Sequence, residues 1–249
     1  HAALRENHFL DDGMYLVTVL IVRAMKLKQE GKTLGSLIAD LKEPVESREI
    51  RLSITADDFA AGDTVHYLSN HGIEGYFETH KAPSIIKEVE GKKSFSFDGH
   101  QVFQSNFSLP ATLLDNTPYT LEAWILNDSI AENECVADFT TSHDELEKIM
   151  LVSGTEPRCG VINHYGWYED AGYKDMKELT GKWQHIYICF DGRMEQVYIN
   201  GKLISEKDIQ LLIKPSQYVT LGRNAERNWP FTGYLHSLKL WDEYIPIKK

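Results

Sequence analysis

A chain of 249 residues with 42% hydrophobic content is long enough to bury a sizeable core, as one large β domain or as one domain with an appendage. The formal charge of −11 and the lack of any basic run exclude nucleic-acid binding through the phosphate backbone, since no cluster of Lys and Arg is there to release counterions. The longest apolar run, Met14 to Val22 broken by Thr18, is too short for a membrane span.

In chain order, Asp11-Asp12-Gly13 opens a helix whose apolar positions Met14, Tyr15, Val17, Leu20, Ile21, Ala24, Met25 and Leu27 give a wide apolar face up to Gly31. Thr33 caps a shorter helix carrying Leu34, Leu37, Ile38 and Leu41, which must stop before Pro44. A strand follows from Arg48 to Ile54, in which Ile50, Leu52 and Ile54 alternate with Glu49, Arg51 and Ser53. Thr55-Ala56-Asp57-Asp58 then caps one more helical turn. The chain shows no signal peptide and begins with His rather than Met, so an upstream part is expected to have been lost or cut away.

The stretch HAALRENHFLDDGMYLVTVLIVRAMKLKQEGKTLGSLIADLKEPVESREIRLSITADDF resembles one piece of the phosphohexomutases, the phosphoglucomutase and phosphomannomutase family. The resemblance implies that His1 ends the family's sugar-recognition loop E-x-S-G-H and that Asp11-Asp12-Gly13 is its helix-opening D-D-G. Phosphoryl transfer between sugar hydroxyls requires a phosphorylatable serine loop, a D-x-D-x-D magnesium loop and a phosphate-binding loop. None of the three occurs here. The alternative functional reading is therefore a phosphohexomutase fragment, inactive by itself and fused to the remainder of the chain.

Ala60-Ala61-Gly62-Asp63 marks a junction, and from Thr64 onward the pattern is β throughout. Strands are expected at Val65 to Leu68, around Gly75-Tyr76-Phe77, and at Ser94 to Phe97, the last closing at an Asp98-Gly99 hairpin turn. Tyr119 to Leu126 reads as an inner strand covered on both faces. Val136 to Thr140, Ile149 to Val152 and Val161 to His164 are shorter candidates. Trp183 to Phe190 is followed by Asp191-Gly192, the strongest short-range hairpin signal. From Met194, residues Glu195, Val197 and Ile199 share one face and Met194, Gln196 and Tyr198 the other, up to a second primed turn at Asn200-Gly201. Val219 to Leu221 and Tyr234 to Trp241 complete the set.

The segment KWQHIYICFDGRMEQVYINGKLI resembles the signature hairpin of the laminin-G-like, concanavalin-A-like jelly rolls, W-H-H-V-x-V-x-x-D-G, strand, Y-x-N-G. Two further pieces agree, SFSFDGHQVFQSNFSLP…NTPYTLEAWIL and YVTLGRNAERNWPFTGYLHSLKLWDEYI. The resemblance covers roughly Thr64 to Ile245 and implies a mainly β, two-sheet antiparallel jelly-roll sandwich over 64–249, with a short α/β N-terminal extension over 1–60. Turn signals every eight to twelve residues fit the same fold.

Function is expected in loops. Tyr165 to Lys182 is long and carries Trp167, Tyr168 and Tyr173 with Glu169, Asp170 and Asp175. A second segment runs Arg223-Asn224…Asn228-Trp229-Pro230-Phe231. Sugars stack their C–H faces on Trp and Tyr while Asn, Asp and Arg bond their hydroxyls. Trp167, Tyr168, Tyr173, Arg223, Asn224 and Trp229 are thus the candidate ligand-binding residues, with carbohydrate or a glycoprotein surface as partner, and Phe231 is read as a core plug. No catalytic residue is expected: a glycoside hydrolase needs two facing carboxylates, and Glu132-Asn133-Glu134 reads as solvated loop charge.

His185 reads as a packed residue rather than a ligand. Asp98 and Asp191 suit turn chemistry, which leaves Asp242 as the candidate for a structural calcium ion. Cys135 and Cys159 either bridge or, with Cys189, serve as small buried strand residues. The N-terminal helix must cover the β domain, pair with another copy and self-associate, or stay disordered. The jelly-roll resemblance implies an extracellular or periplasmic location, and the phosphohexomutase resemblance a cytoplasmic one.

Overall fold

The computed structural model describes residues 13–33, 36, 49–79, 81–140, 145–155, 160–162, 164, 179–224 and 228–247. The chain divides into two compact units, His1–Ser47 and Arg48–Lys249.

In the first unit, helix α1 spans Gly13–Gln29, as the apolar pattern requires. It ends on Gly31 in the left-handed region (φ 71°), and the Lys32 N–H reaches back to the Leu27 carbonyl (2.8 Å), closing the helix as a glycine C-cap does. Thr33 Oγ1 accepts the Ser36 N–H, the bond expected of an N-cap; the rest of the predicted second helix lies outside the described residues, as do Asp11 and Asp12. Val17, Leu20, Ile21, Val22 and Met25 of α1 are exposed. No described helix is long and apolar enough to cross a membrane.

The second unit begins with β1 (Ile50–Thr55), β2 (Thr64–Val65), β3 (Tyr67–Ser69), β4 (Tyr76–Glu78), β5 (Ser84–Val89), β6 (Lys92–Asp98) and β7 (Phe103–Ser105). It continues with β8 (Tyr119–Leu126), β9 (Glu134–Asp138), β10 (Met150–Gly154), β11 (Gly160–Ile162), β12 (Gln184–Phe190) and β13 (Met194–Ile199). The last strands are β14 (Lys202–Asp208), β15 (Thr220–Leu221) and β16 (Thr232–Trp241). They form two antiparallel sheets. One has nine strands in the order β14-β13-β12-β8-β16-β6-β5-β2, with β1 also paired to β16; the other has seven, β11-β10-β9-β15-β7-β4-β3. The apolar faces of both layers close over one core that includes Phe77, Phe95, Phe103, Tyr119, Phe190 and Phe231. This is the expected jelly-roll sandwich.

Three boundaries differ from the sequence reading. β1, grouped above with the N-terminal segment, pairs with β16 from Ile50↔Trp241 to Thr55↔Ser237 and buries Leu52 and Ile54, so the division falls before Arg48 and not between 60 and 64. β16 is ten residues long, and β6 covers only its first part, which leaves room along the same edge for β1. Asp98-Gly99 does not close a hairpin: β6 belongs to the nine-stranded sheet and β7 to the other, so the turn carries the chain across the sandwich. The hairpin after β5 is made instead by Glu90-Gly91 (φ 50° and 77°), a pair with no Asn or Asp to announce it. Asn200-Gly201 (φ 52° and 77°) is the primed turn predicted, and Asp191 Oδ1 ties its loop by accepting the N–H groups of Arg193 and Met194.

Cys135 and Cys189 are free, buried thiols, and Cys159 lies outside the described residues. Burial pushes both thiols up, Cys189 to about 12. Peptide mapping after iodoacetamide treatment of the native protein at about pH 8 is expected to find Cys135 and Cys189 unmodified, and both alkylated once urea is added.

Candidate functional site

The site lies at one end of the sandwich, where the chain between β8 and β9 meets the chain entering β16. Glu134, the first residue of β9, is almost fully buried, unlike the solvated loop charge expected. Its carboxylate accepts the Thr232 N–H (2.9 Å), the Thr232 hydroxyl (2.9 Å) and Asn127 Nδ2 (3.0 Å). Asn127 also donates to the Thr232 carbonyl (2.7 Å) and accepts from Ser153 Oγ (3.1 Å). Burial raises the pKa of Glu134 above the ordinary carboxylate value, with the bonds from Thr232, Ala131 and Asn127 opposing it. The carboxylate thereby fastens the two chain segments together.

On this polar floor sits a cleft of about 560 Å³, lined among others by Ala131, Glu132, Asn133, Asn228, Trp229 and Pro230. Trp229 is partly buried against Cys135, Met150 and Val152, and its backbone carbonyl accepts the Cys135 N–H (3.2 Å). Asn228 beside it takes the left-handed conformation (φ 51°) that Asn tolerates better than most residues. An aromatic wall next to the amides of Asn133 and Asn228 offers both an apolar face and hydrogen-bonding groups.

The other predicted site residues distribute as follows. Arg223 is half-buried and donates Nη2 to the Gly99 carbonyl (2.9 Å), and a bridge between Arg223 and Pro230 closes the loop that ends beside Trp229. Asn224 is buried and donates to Asp138 Oδ2 (2.8 Å), so it supports the loop from below. Trp167, Tyr168 and Tyr173 lie outside the described residues. Phe231 is fully buried against Phe97, a core plug as expected. His185 stacks on Trp124 and contacts Glu122 Oε1 (2.8 Å), again a packed residue.

Asp242 is engaged otherwise than as a cation ligand: its Oδ2 accepts both Nε (2.7 Å) and Nη2 (2.6 Å) of Arg51. Burial alone would raise its pKa, but hydrogen bonds from Arg51 and Thr112 and the guanidinium charge hold it below the ordinary carboxylate value. Among the described residues, no three His, Cys, Asp or Glu side chains converge as for a metal ion. The sequence reading missed Glu134, Asn127 and Thr232 as a unit. Only the i, i+2 acidic pair Glu132 and Glu134 hinted at it, and that pattern does not say which carboxylate turns inward.

Compared with known proteins, the profile of the concanavalin A-like lectin/glucanases superfamily matches residues 99–245, more than half of the chain. No curated protein matches. Among solved structures, domain 4 of an extracellular arabinanase from Geobacillus stearothermophilus, in complex with arabinotriose, superposes with a TM-score of 0.60 at 17% identity, over 81% of this chain and 96% of that one. A Trypanosoma rangeli sialidase in complex with sialic acid gives 0.54 at 10% identity, over 94% and 37%. The binding domain of botulinum neurotoxin serotype D/C gives 0.50 at 13%, over 80% and 50%. The chain thus spans about a third to a half of these last two. At such identities the likeness establishes the fold, and the matches give no support to a phosphohexomutase segment at residues 1–60.

Proposed function

As the chain belongs to the concanavalin A-like lectin/glucanases superfamily, we propose that it is a non-catalytic recognition module that binds carbohydrate in the cleft beside Trp229. The observation that carries this reading is the cleft itself: an aromatic wall on a fixed polar floor, with amides at its rim. The arabinotriose complex of the arabinanase domain supports it by analogy of fold. Glu134 does not act as a catalytic acid in this reading, because its oxygens are taken up in holding Thr232 and Asn127. Trp167, Tyr168 and Tyr173 are assigned as further aromatic contributors, while Arg223 and Asn224 shape the loop.

Titration calorimetry against the sugars that score on a glycan array tests the assignment. Trp229→Ala is expected to weaken binding about tenfold, through loss of a stacking face. That change also unpacks Cys135, Met150 and Val152, so Ser129→Trp, which puts a large side chain at another position in the lining of the cleft, serves as the second variant. If neither change alters binding to any glycan, the cleft is not the site.

A further inference from the structure

The cleft does not end at Thr232. On the other side of that residue lies a second hollow of about 260 Å³ whose lining includes Lys87, Asp98, Asp128 and Tyr234, and both hollows share Ser129 and Thr232. The ridge between them is rigid. Thr232 is tied to Glu134 through its N–H and its hydroxyl, and its carbonyl accepts from Asn127. Gly233 holds a positive φ of 146°, where a Cβ would lie 2.3 Å from the Leu126 carbonyl oxygen, so no side chain can widen the ridge there. A ligand that fills both hollows must therefore bend over a fixed saddle.

Among the described residues, the charge lining this saddle is one-sided. The described lining carries the carboxylates of Asp98, Asp128 and Glu132 against the ammonium of Lys87, while the buried Glu134 carboxylate beneath is engaged by Thr232 and Asn127. That ammonium is drawn to the Tyr234 ring, 5.7 Å from its centroid. A concave surface with this excess of negative charge, on a chain of net charge −11, repels anions and leaves acceptors free for hydroxyl donors. Resting on the carbohydrate reading of the same cleft, we infer that its ligand is an uncharged oligosaccharide laid across both hollows, and that acidic glycans are selected against. Trp229 stacks one ring and Tyr234 another, with Thr232 between them.

The test is calorimetry on the intact chain with matched pairs of sugars: lactose beside sialyllactose, and uncharged trisaccharides, arabinotriose among them, beside trigalacturonate. The expected result is that the uncharged member of a pair binds at least about fivefold tighter at low salt, and that the gap shrinks in about 0.5 M NaCl, where charges are screened within a few ångströms. Asp128→Asn with Glu132→Gln should narrow the same gap. The trisaccharide should bind at least about tenfold tighter than its monosaccharide, and Tyr234→Ala should bring the ratio of the two affinities close to one. Acidic members that bind as tightly as uncharged ones, or affinity that does not grow with length, would overturn the inference while the cleft stands. If no sugar of either kind binds, the carbohydrate reading falls and this inference falls with it.

Discussion

Replacing His164 with Ala is expected to destabilise the β unit by about 3–5 kcal/mol, a large part of the total stability of an ordinary domain. The imidazole is fully buried between the two sheets. Its Nε2 lies 2.6 Å from Glu195 Oε2 and its Nδ1 lies 2.6 Å from the Lys148 carbonyl oxygen. Since a carbonyl only accepts, Nδ1 donates there, and a bond to the carboxylate makes Nε2 a donor too, which is the charged imidazolium. Tyr119 donates its hydroxyl to the same Glu195 oxygen. Glu195 is on β13 in one sheet and His164 follows β11 in the other, so the pair fastens one layer to the other from inside. Removing the imidazole takes from the buried Glu195 carboxylate the charge and the hydrogen bond that His164 supplies, and truncating one member of a buried pair costs more than the net worth of the pair. Urea denaturation at about pH 6 measures it. A loss under about 1 kcal/mol would show that the pair contributes little to stability.

The same pair sets a pH dependence of definite sign. Burial on its own pushes the His164 pKa down, but the Glu195 charge and the hydrogen bonds to Glu195 and Lys148 outweigh it and hold the folded value above the ordinary 6.5. A group whose pKa is raised on folding contributes fully below its unfolded value and loses that contribution as pH rises through the folded one. The stability of the wild-type chain should therefore fall on going up from about pH 6.5, and His164→Ala should flatten that slope. A wild-type midpoint that rises through the same window, or an unchanged slope in the variant, contradicts the charged assignment.

A chain that begins at Arg48 is expected to melt cooperatively, whereas one that begins at Gly62 should lose about 10–20 °C in melting temperature or fail to stay soluble. The second truncation removes Leu52, Ile54 and Ala56 from the core, worth several kcal/mol by buried apolar area, and strips the partner strand from β16 between Ser237 and Trp241. It also breaks the two-pronged Arg51 contact to Asp242 and the bonds of Asn70, which accepts the Ser53 N–H (2.7 Å) and donates to the Arg51 carbonyl (3.1 Å). The exposed β16 edge would offer an unpaired row of N–H and C=O groups, a recognised route to aggregation. Equal melting temperatures for the two truncations would return residues 48–61 to the N-terminal segment. Differential scanning calorimetry of both chains decides between these outcomes.

Local patterns carried the sheet elements well. The apolar stripe of α1, the alternation of β13 and the Asn200-Gly201 turn are set by neighbours a few residues apart, and each occurs where the residues place it. The same logic misread Asp98-Gly99, because a turn signal says that the chain reverses and not which sheet receives the next strand. It also left β1 grouped with the N-terminal segment, since strand pairing over about 180 residues is invisible to periodicity.

The candidate site shows the division most clearly. Sequence alone determined a β sandwich, an acidic chain and an aromatic, amide-rich segment around Trp229, because composition, period and turn chemistry are local. Only the tertiary structure decided that Glu134 turns inward to hold Thr232 while Glu132 stays at the rim, that Asp242 is engaged by Arg51, and that Glu195 faces His164 across the core. In each case the deciding interaction joins residues far apart in the chain, and the cost of burying a charge is met by a partner that no local pattern names.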